Sequence, residues 1–141
     1  MRGQGTLAVL LALILGAGAL AQPASGPSEQ SLKDAVRLGG IATLAPLCGV
    51  REEPWAFDLR RAAMQSATGT DATEDGELKA APGSNLAIAA LGYADLEALE
   101  DFALDHGEAS CEKLRQDPDL ARADRMVDEF RRRAQLKKPV G

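Results

Sequence analysis

The sequence has few of the side chains that carry most enzyme chemistry. It contains one histidine, His106, and two cysteines among 141 residues. A zinc site here would rest on His106 and carboxylates if the cysteines are bonded to each other. The sequence has no G-x-S-x-G turn to mark a nucleophilic serine, and no phosphate-binding loop. We therefore expect no catalytic residue, no metal site and no cofactor, and we interpret His106 as a surface or capping residue.

Acidic residues are frequent, but their spacing does not form a complete site. The pattern D-x-T-x-D-G at 71–76 resembles the first half of a calcium loop. The twelfth position, where calcium needs a bidentate acid, is Pro82. Adjacent carboxylates such as Glu100 and Asp101 do not face each other on a helix, so we interpret them as solvated rather than as an acid/base pair.

Aromatic residues are also scarce, with one tryptophan, one tyrosine and three phenylalanines. The core must be built mostly from Leu, Ala, Val, Ile and Met. Small side chains let helices approach closely, but each buries little area. A thin core is a reason to expect a covalent brace.

Cys48 and Cys111 are the candidates for that brace. An even number of cysteines in an oxidising compartment favours a disulfide. The bond would close a loop of about 64 residues, which the chain-entropy model values at roughly 4 kcal/mol. The alternatives are two free buried thiols or a redox-active pair, and the latter usually has the C-x-x-C spacing that is missing here.

One long apolar run is present, at the start of the chain. Arg2 precedes the unbroken run Leu7–Leu15, and small residues follow up to Ala21. This order is typical of a secretory signal peptide, and the run is shorter than the roughly 20 residues of a membrane-spanning helix. We expect 1–21 to be a signal peptide cleaved between Ala21 and Gln22. The product would be periplasmic or secreted, with no transmembrane anchor after cleavage.

No segment alternates apolar and polar residues for long enough to predict a strand. The fold expected is all-α, a small irregular bundle of four to five helices with one long-range disulfide. We expect 22–27 to be a flexible linker and 28–141 to be a single helical domain. Within that domain, 70–83 has almost no large apolar residues and four acids, which predicts a mobile acidic loop.

Capping and proline signals place the helices. Gly39 and Gly40 permit a bend or a close helix contact in the first helix, and Gly92 could split the third. The expected ranges are about 29–45, 52–68, 84–105, 108–116 and 118–136.

Two apolar stripes stand out at helical spacing. The last helix has the cleaner one, formed by Leu120, Ala123, Val127, Phe130 and Ala134. A broader stripe on the third helix, whose acids predict an acidic outer face, is formed by Leu86, Ala90, Tyr93, Leu96 and Leu99.

Charge is unevenly distributed along the chain. Nine acids and the single base Lys79 lie between Asp71 and Asp105, whereas 122–138 has seven bases and three acids. The basic end would suit an acidic partner, but pairing within the domain is the favoured interpretation. Nucleic acid is not an expected partner, because the net charge is −5 and the chain is expected to be exported.

The leading hypothesis is a non-enzymatic interaction protein of the periplasm or exterior, which binds a protein of the cell envelope or acts as a chaperone or inhibitor. Its size, export, helices and disulfide resemble the general type of small periplasmic acid-stress chaperones, a likeness of class without a shared motif. One alternative is a small-ligand carrier or minor enzyme using carboxylates and arginines. Another is an envelope-surface binder using the basic C-terminal helix.

The candidate partner contacts are one aromatic residue and two arginine groups. We interpret the tryptophan as part of the core, with a partner anchor as the alternative. The candidates are Trp55, Arg60, Arg61, Arg131, Arg132 and Arg133. The oligomeric state does not follow from the sequence.

Overall fold

The computed structural model describes residues 26–139, which form six α-helices and no strand. The all-α prediction is confirmed, with one helix more than the four to five expected. The expected signal peptide, its cleavage site and most of the linker lie outside the described residues. The helices are α1 (Glu29–Leu47), α2 (Glu53–Thr68), α3 (Asp75–Ala80), α4 (Ser84–Asp105), α5 (Glu108–Arg115) and α6 (Asp119–Leu136).

Helix α1 is central and packs most extensively against α2 and α4. Ser28 caps its start by accepting a hydrogen bond from the Ser31 backbone N–H at 3.1 Å. The main core lies between α1, α2, α5 and α6, and most of its side chains are small or medium-sized. It consists of Leu38, Ile41, Ala42, Ala45, Trp55, Ala56, Leu59, Ala63, Leu114, Ala123 and Val127.

The predicted disulfide between Cys48 and Cys111 is confirmed, with an S–S distance of 2.07 Å and a Cα–Cα distance of 5.4 Å. Cys48 follows the last residue of α1, and Cys111 lies in α5. The bond therefore ties the central helix to a helix of only eight residues. Leu114, on the same short helix, is buried in the main core.

The prediction of a loop throughout 70–83 is wrong, because 75–80 form helix α3. Leu78 is 3 % exposed, and it joins Ala72 in a second core cluster. The acids of this segment are exposed, whereas Leu78 and Ala72 are buried, and Arg61 of α2 pairs with Asp75 at 2.8 Å. Composition does not predict this helix, because it gives the number of apolar residues in a segment and not whether the fold can bury them.

Helix α4 is continuous through Gly92, and its orientation differs from the expected one. The side turned into the fold is made mostly of small residues, among them Ala87, Ala94 and Ala98, together with the partly buried Leu91. The apolar stripe expected from the sequence is mostly exposed. Small residues face inward because α1 and α4 approach each other closely. A Cβ atom added at Gly39 would lie only 2.9 Å from the Cβ atom of Ala94.

Candidate functional site

The most unusual surface of this molecule is the side of α4 that faces away from the bundle. It presents six large hydrophobic side chains, each between 42 % and 75 % exposed. We call this surface the outer face of α4, formed by Leu86, Ile88, Tyr93, Leu96, Leu99 and Leu104.

The outer face is mostly apolar, and it contains one carboxylate, Glu100, which lies one turn from both Leu96 and Leu104. The exposed residues between its large side chains include Ala89, Gly92 and Ala103, which are also apolar or lack a side chain. From Leu86 to Leu104 the helix rises by about 27 Å at 1.5 Å per residue. Soluble monomeric proteins rarely expose contiguous apolar patches of more than a few hundred Å², and larger ones mark interaction sites.

The charges on α4 are all acidic. The helix carries five carboxylates and no Lys or Arg. Three of them, Glu97, Glu100 and Asp101, make no ion pair with any residue between 26 and 139. At 100° per residue, Glu100 falls inside the outer face, between Leu96 and Leu104. Glu97 and Asp101 lie just beyond Leu104, on the side that turns back toward the bundle. We call these three residues the acidic edge.

The other two carboxylates of α4 are used within the fold. Asp95 accepts hydrogen bonds from Thr43 Oγ1 at 2.6 Å and from Arg60 at 3.2 Å. Asp105 accepts from the Ser110 hydroxyl at 2.6 Å and from the backbone N–H groups of Gly107 and Ser110. These bonds, chiefly the one from the Ser110 hydroxyl, lower the pKa of Asp105 and fix the start of α5.

Beside the outer face, α1, α4 and α5 enclose an open groove of about 1040 Å³. Glu97 and Leu104 belong to both the groove and the α4 surface, so the two are contiguous. The groove has an apolar floor that includes Ile41 and Ala98. Its charged lining residues are the cations Lys33, Arg37 and Lys113 and the carboxylates Glu97, Asp101, Asp105 and Asp117.

The one arginine in this groove is held by acids of its own chain. Arg37 donates to Asp119 through Nε and to Asp117 at 2.9 Å. The hydrogen bond to Asp119 is the main cause of the raised pKa of Arg37, and it also lowers the pKa of Asp119. The Arg37 guanidinium is therefore largely engaged before any ligand binds.

Trp55 is 8 % exposed, so its indole is part of the core and does not offer a partner an exposed anchor. Its Nε1–H donates to Asp124 at 3.0 Å. Arg51 donates to both carboxylate oxygens of Asp124, at 2.9 and 2.7 Å, and its guanidinium lies 5.6 Å from the centre of the indole ring. The three side chains join the start of α2 to α6.

Arg60 and Arg61 do not converge on the groove. Arg60 donates to Thr43 at 3.0 Å and pairs with Asp95. Arg61 pairs with Asp75 at 2.8 Å, and its guanidinium lies over the rings of Phe57 and Phe130. Both arginines connect helices, which is a structural role.

The basic C-terminal cluster is also paired within the chain. Arg131 donates to Asp58 at 2.7 Å. Arg132 and Arg133 both donate to Glu129, and these bonds lower the pKa of Glu129. These ion pairs agree with the favoured interpretation that carboxylates of the same domain pair with the basic residues at its C-terminal end.

His106 ends α4 in the left-handed conformation, with φ of 52°, and its backbone N–H donates to Phe102. This position agrees with the capping role expected of it. Within the described part of the chain, no three His, Cys, Asp or Glu side chains form a group able to hold a metal ion. None of the helices in 26–139 combines the length and the apolar character that crossing a bilayer requires.

The sequence reasoning identified most apolar residues of α4 but not that they form an exposed surface. A signal was present, because α4 has leucine or alanine on every side, and such a helix cannot bury all of them in a two-layer bundle. Comparison with protein-family models, with curated proteins and with solved structures found no match.

Proposed function

We propose that this protein is a non-enzymatic interaction protein of the cell envelope, which binds a protein partner along the outer face of α4. The observation that carries this proposal is the row of six large exposed hydrophobic side chains on one helix. An interaction protein needs such a surface, whereas a purely structural domain does not.

Covering this face would release a substantial free energy. Leu96 is 71 % exposed and Leu104 is 75 % exposed. Burial of apolar surface stabilises a complex by about 25 cal/mol per Å², or roughly 1.5–3 kcal/mol for a fully covered leucine. Tyr93 lies in the same face, and tyrosine is one of the residues that dominate binding energy at interfaces.

Two features support an action outside the cytoplasm. The first 21 residues have the order of a signal peptide, and the domain is braced by a disulfide. Disulfides persist in oxidising compartments such as the periplasm. A partner in the same compartment is therefore part of the proposal.

Site-specific photo-crosslinking in native cells tests the proposal. A photoreactive phenylalanine analogue at Leu96 should crosslink one protein in high yield. The same analogue at Leu136, which is 74 % exposed on α6, is the matched control and should not. Crosslinking of the same mixture of proteins from both positions would contradict the proposal.

The groove between α1, α4 and α5 favours a second candidate function, a carrier of a small zwitterionic ligand. The volume of the groove is sufficient for a small ligand, and both cations and carboxylates surround its apolar floor. A Gly40→Leu variant would fill the groove, because a Cβ atom added at Gly40 meets nothing within 4 Å. A ligand that raises the Tm of the wild type and not of this variant would support the carrier function.

A further inference from the structure

We infer that the segment of the partner that covers the outer face of α4 is an amphipathic helix with basic residues along one side. This inference rests on the proposed function and adds the chemistry of the partner. It follows from the charge and the shape of the α4 surface.

The charge beside the face selects a basic partner. The acidic edge holds three carboxylates that have no ion-pair partner among the described residues. Any helix laid on the outer face would pass directly beside Glu97 and Glu100. Lys or Arg on that side would gain attraction, and acids there would be repelled.

The same charges disfavour a second copy as the occupant. In an antiparallel pair of α4 helices, two-fold symmetry brings the same edge of each helix together. Glu97 and Glu100 of one copy would then lie beside those of the other. Since α4 contains no base, no residue on either helix could compensate them.

An anionic lipid surface is disfavoured for the same reason. Helices that lie on such membranes combine an apolar face with Lys and Arg flanks, whereas every charged residue of α4 is acidic. Burial of the outer face in the lipid would bring the acidic edge against the headgroups.

The shape of the face suits a helix. Its large side chains stand along a helix of 22 residues. Between them, Ala89, Gly92 and Ala103 leave low positions into which the side chains of a second helix can pack. Recognition of this kind uses apolar residues at positions i, i+3, i+4 and i+7 of the partner.

Two designed helical peptides of 21 residues test the inference with the oxidised chain of residues 22–141. Both carry the same leucine stripe, and one has Lys and the other Glu along one side. Fluorescence anisotropy at low and moderate salt should show the Lys peptide binding at least about tenfold more tightly. The difference should shrink with salt, which screens exposed charges.

Paired variants locate the binding site. Leu96→Asn should weaken binding of the Lys peptide by about tenfold or more, since it removes one covered leucine. Leu136→Asn, at an equally exposed leucine of α6, should change the affinity less than about twofold.

A second pair of variants tests the acidic edge. The double variant E97Q/E100Q should weaken binding by about three- to tenfold, as expected for two exposed charge pairs. Its control is E77Q/D128N, which removes two exposed carboxylates that make no ion pair among residues 26–139 and should have little effect.

Four results would overturn the inference. The first two are equal affinity for the Lys and Glu peptides and no binding of either peptide. The third is an equal loss of affinity in E97Q/E100Q and in E77Q/D128N. The fourth is self-association of the protein, or its binding to anionic vesicles, that Leu96→Asn abolishes. A single crosslinked partner at Leu96 together with equal peptide affinities would leave the proposed function standing while the basic-helix inference fails.

Discussion

Individual polar side chains hold these helices together at points where the core is thin. Asp124 on α6 accepts hydrogen bonds from Arg51, just before α2, and from Trp55, in the first turn of α2. Arg60 on α2 and Thr43 on α1 meet Asp95 of α4 in the same way. Each carboxylate accepts hydrogen bonds from two side chains, so its loss affects more than one contact.

The carboxylates that bind arginines make the stability dependent on pH. Hydrogen bonds from Arg37 and Arg51 lower the pKa of Asp119 and Asp124 below the ordinary value of 3.8. In the unfolded chain these carboxyls have the higher, ordinary pKa. The stabilisation is therefore fully present above about pH 4, and it is lost as the pH falls through the folded-state values.

We predict that Asp124→Asn lowers the free energy of unfolding at pH 7 by about 1 kcal/mol, a value reduced by the partial exposure of the pair. The loss of stability of the wild type between pH 4 and pH 2 should become shallower in this variant. Urea denaturation at a series of pH values measures both. Asp128→Asn is the control, and an unchanged pH slope in Asp124→Asn would contradict the prediction.

The contact between α1 and α4 depends on the absence of side chains at one point. A Cβ atom at Gly39 would lie 2.9 Å from that of Ala94 and 3.1 Å from a methyl of Leu91. The alanine Cβ cannot rotate away, so the two helices would have to separate. The neighbouring Gly40 faces open space.

Two glycine-to-alanine variants therefore have opposite expected effects. Gly39→Ala should lower the free energy of unfolding by about 1–3 kcal/mol through overpacking. Gly40→Ala should raise it by about 0.5–1 kcal/mol, because alanine favours a helix over glycine. Thermal and urea denaturation measure both variants. A stabilising Gly39→Ala would show that α1 and α4 adjust to each other freely.

On the scale of the whole molecule, one central helix and one covalent bond organise the bundle. Helix α1 packs most extensively against α2 and α4, and the disulfide between Cys48 and Cys111 fixes its end to α5. Helix α5 has eight residues and contributes few side chains to the core. The bond therefore stabilises a part of the fold that has limited packing of its own.

Reduction of the disulfide should lower the free energy of unfolding by about 4 kcal/mol, the loop-closure value for about 64 residues. Urea denaturation with and without reductant measures the difference. The C48A/C111A variant is the control, and reductant should leave its stability unchanged. A loss below about 1 kcal/mol in the wild type would indicate that packing alone holds α5.

Much of this fold could be predicted from local signals. Capping residues, prolines and the 3.6-residue periodicity predicted five of the six helices, because these signals act within one or two turns of the chain. The buried stripe of α6 was correct for Ala123, Val127 and Phe130, since polar residues leave only one side apolar. The disulfide pairing followed from the presence of only two cysteines.

The sequence alone determined the helical class, the positions of most helices and the pair of bonded cysteines. Only the tertiary structure decided which side of α4 is buried, because this helix has leucine or alanine on every side and its periodicity does not choose one. The close approach of α1 at Gly39 admits alanines such as Ala94, and it leaves Leu96 and Leu104 in solvent. The tertiary structure also provides a buried site for Leu78. The acidic segment around it therefore forms a helix, although its composition predicts a loop.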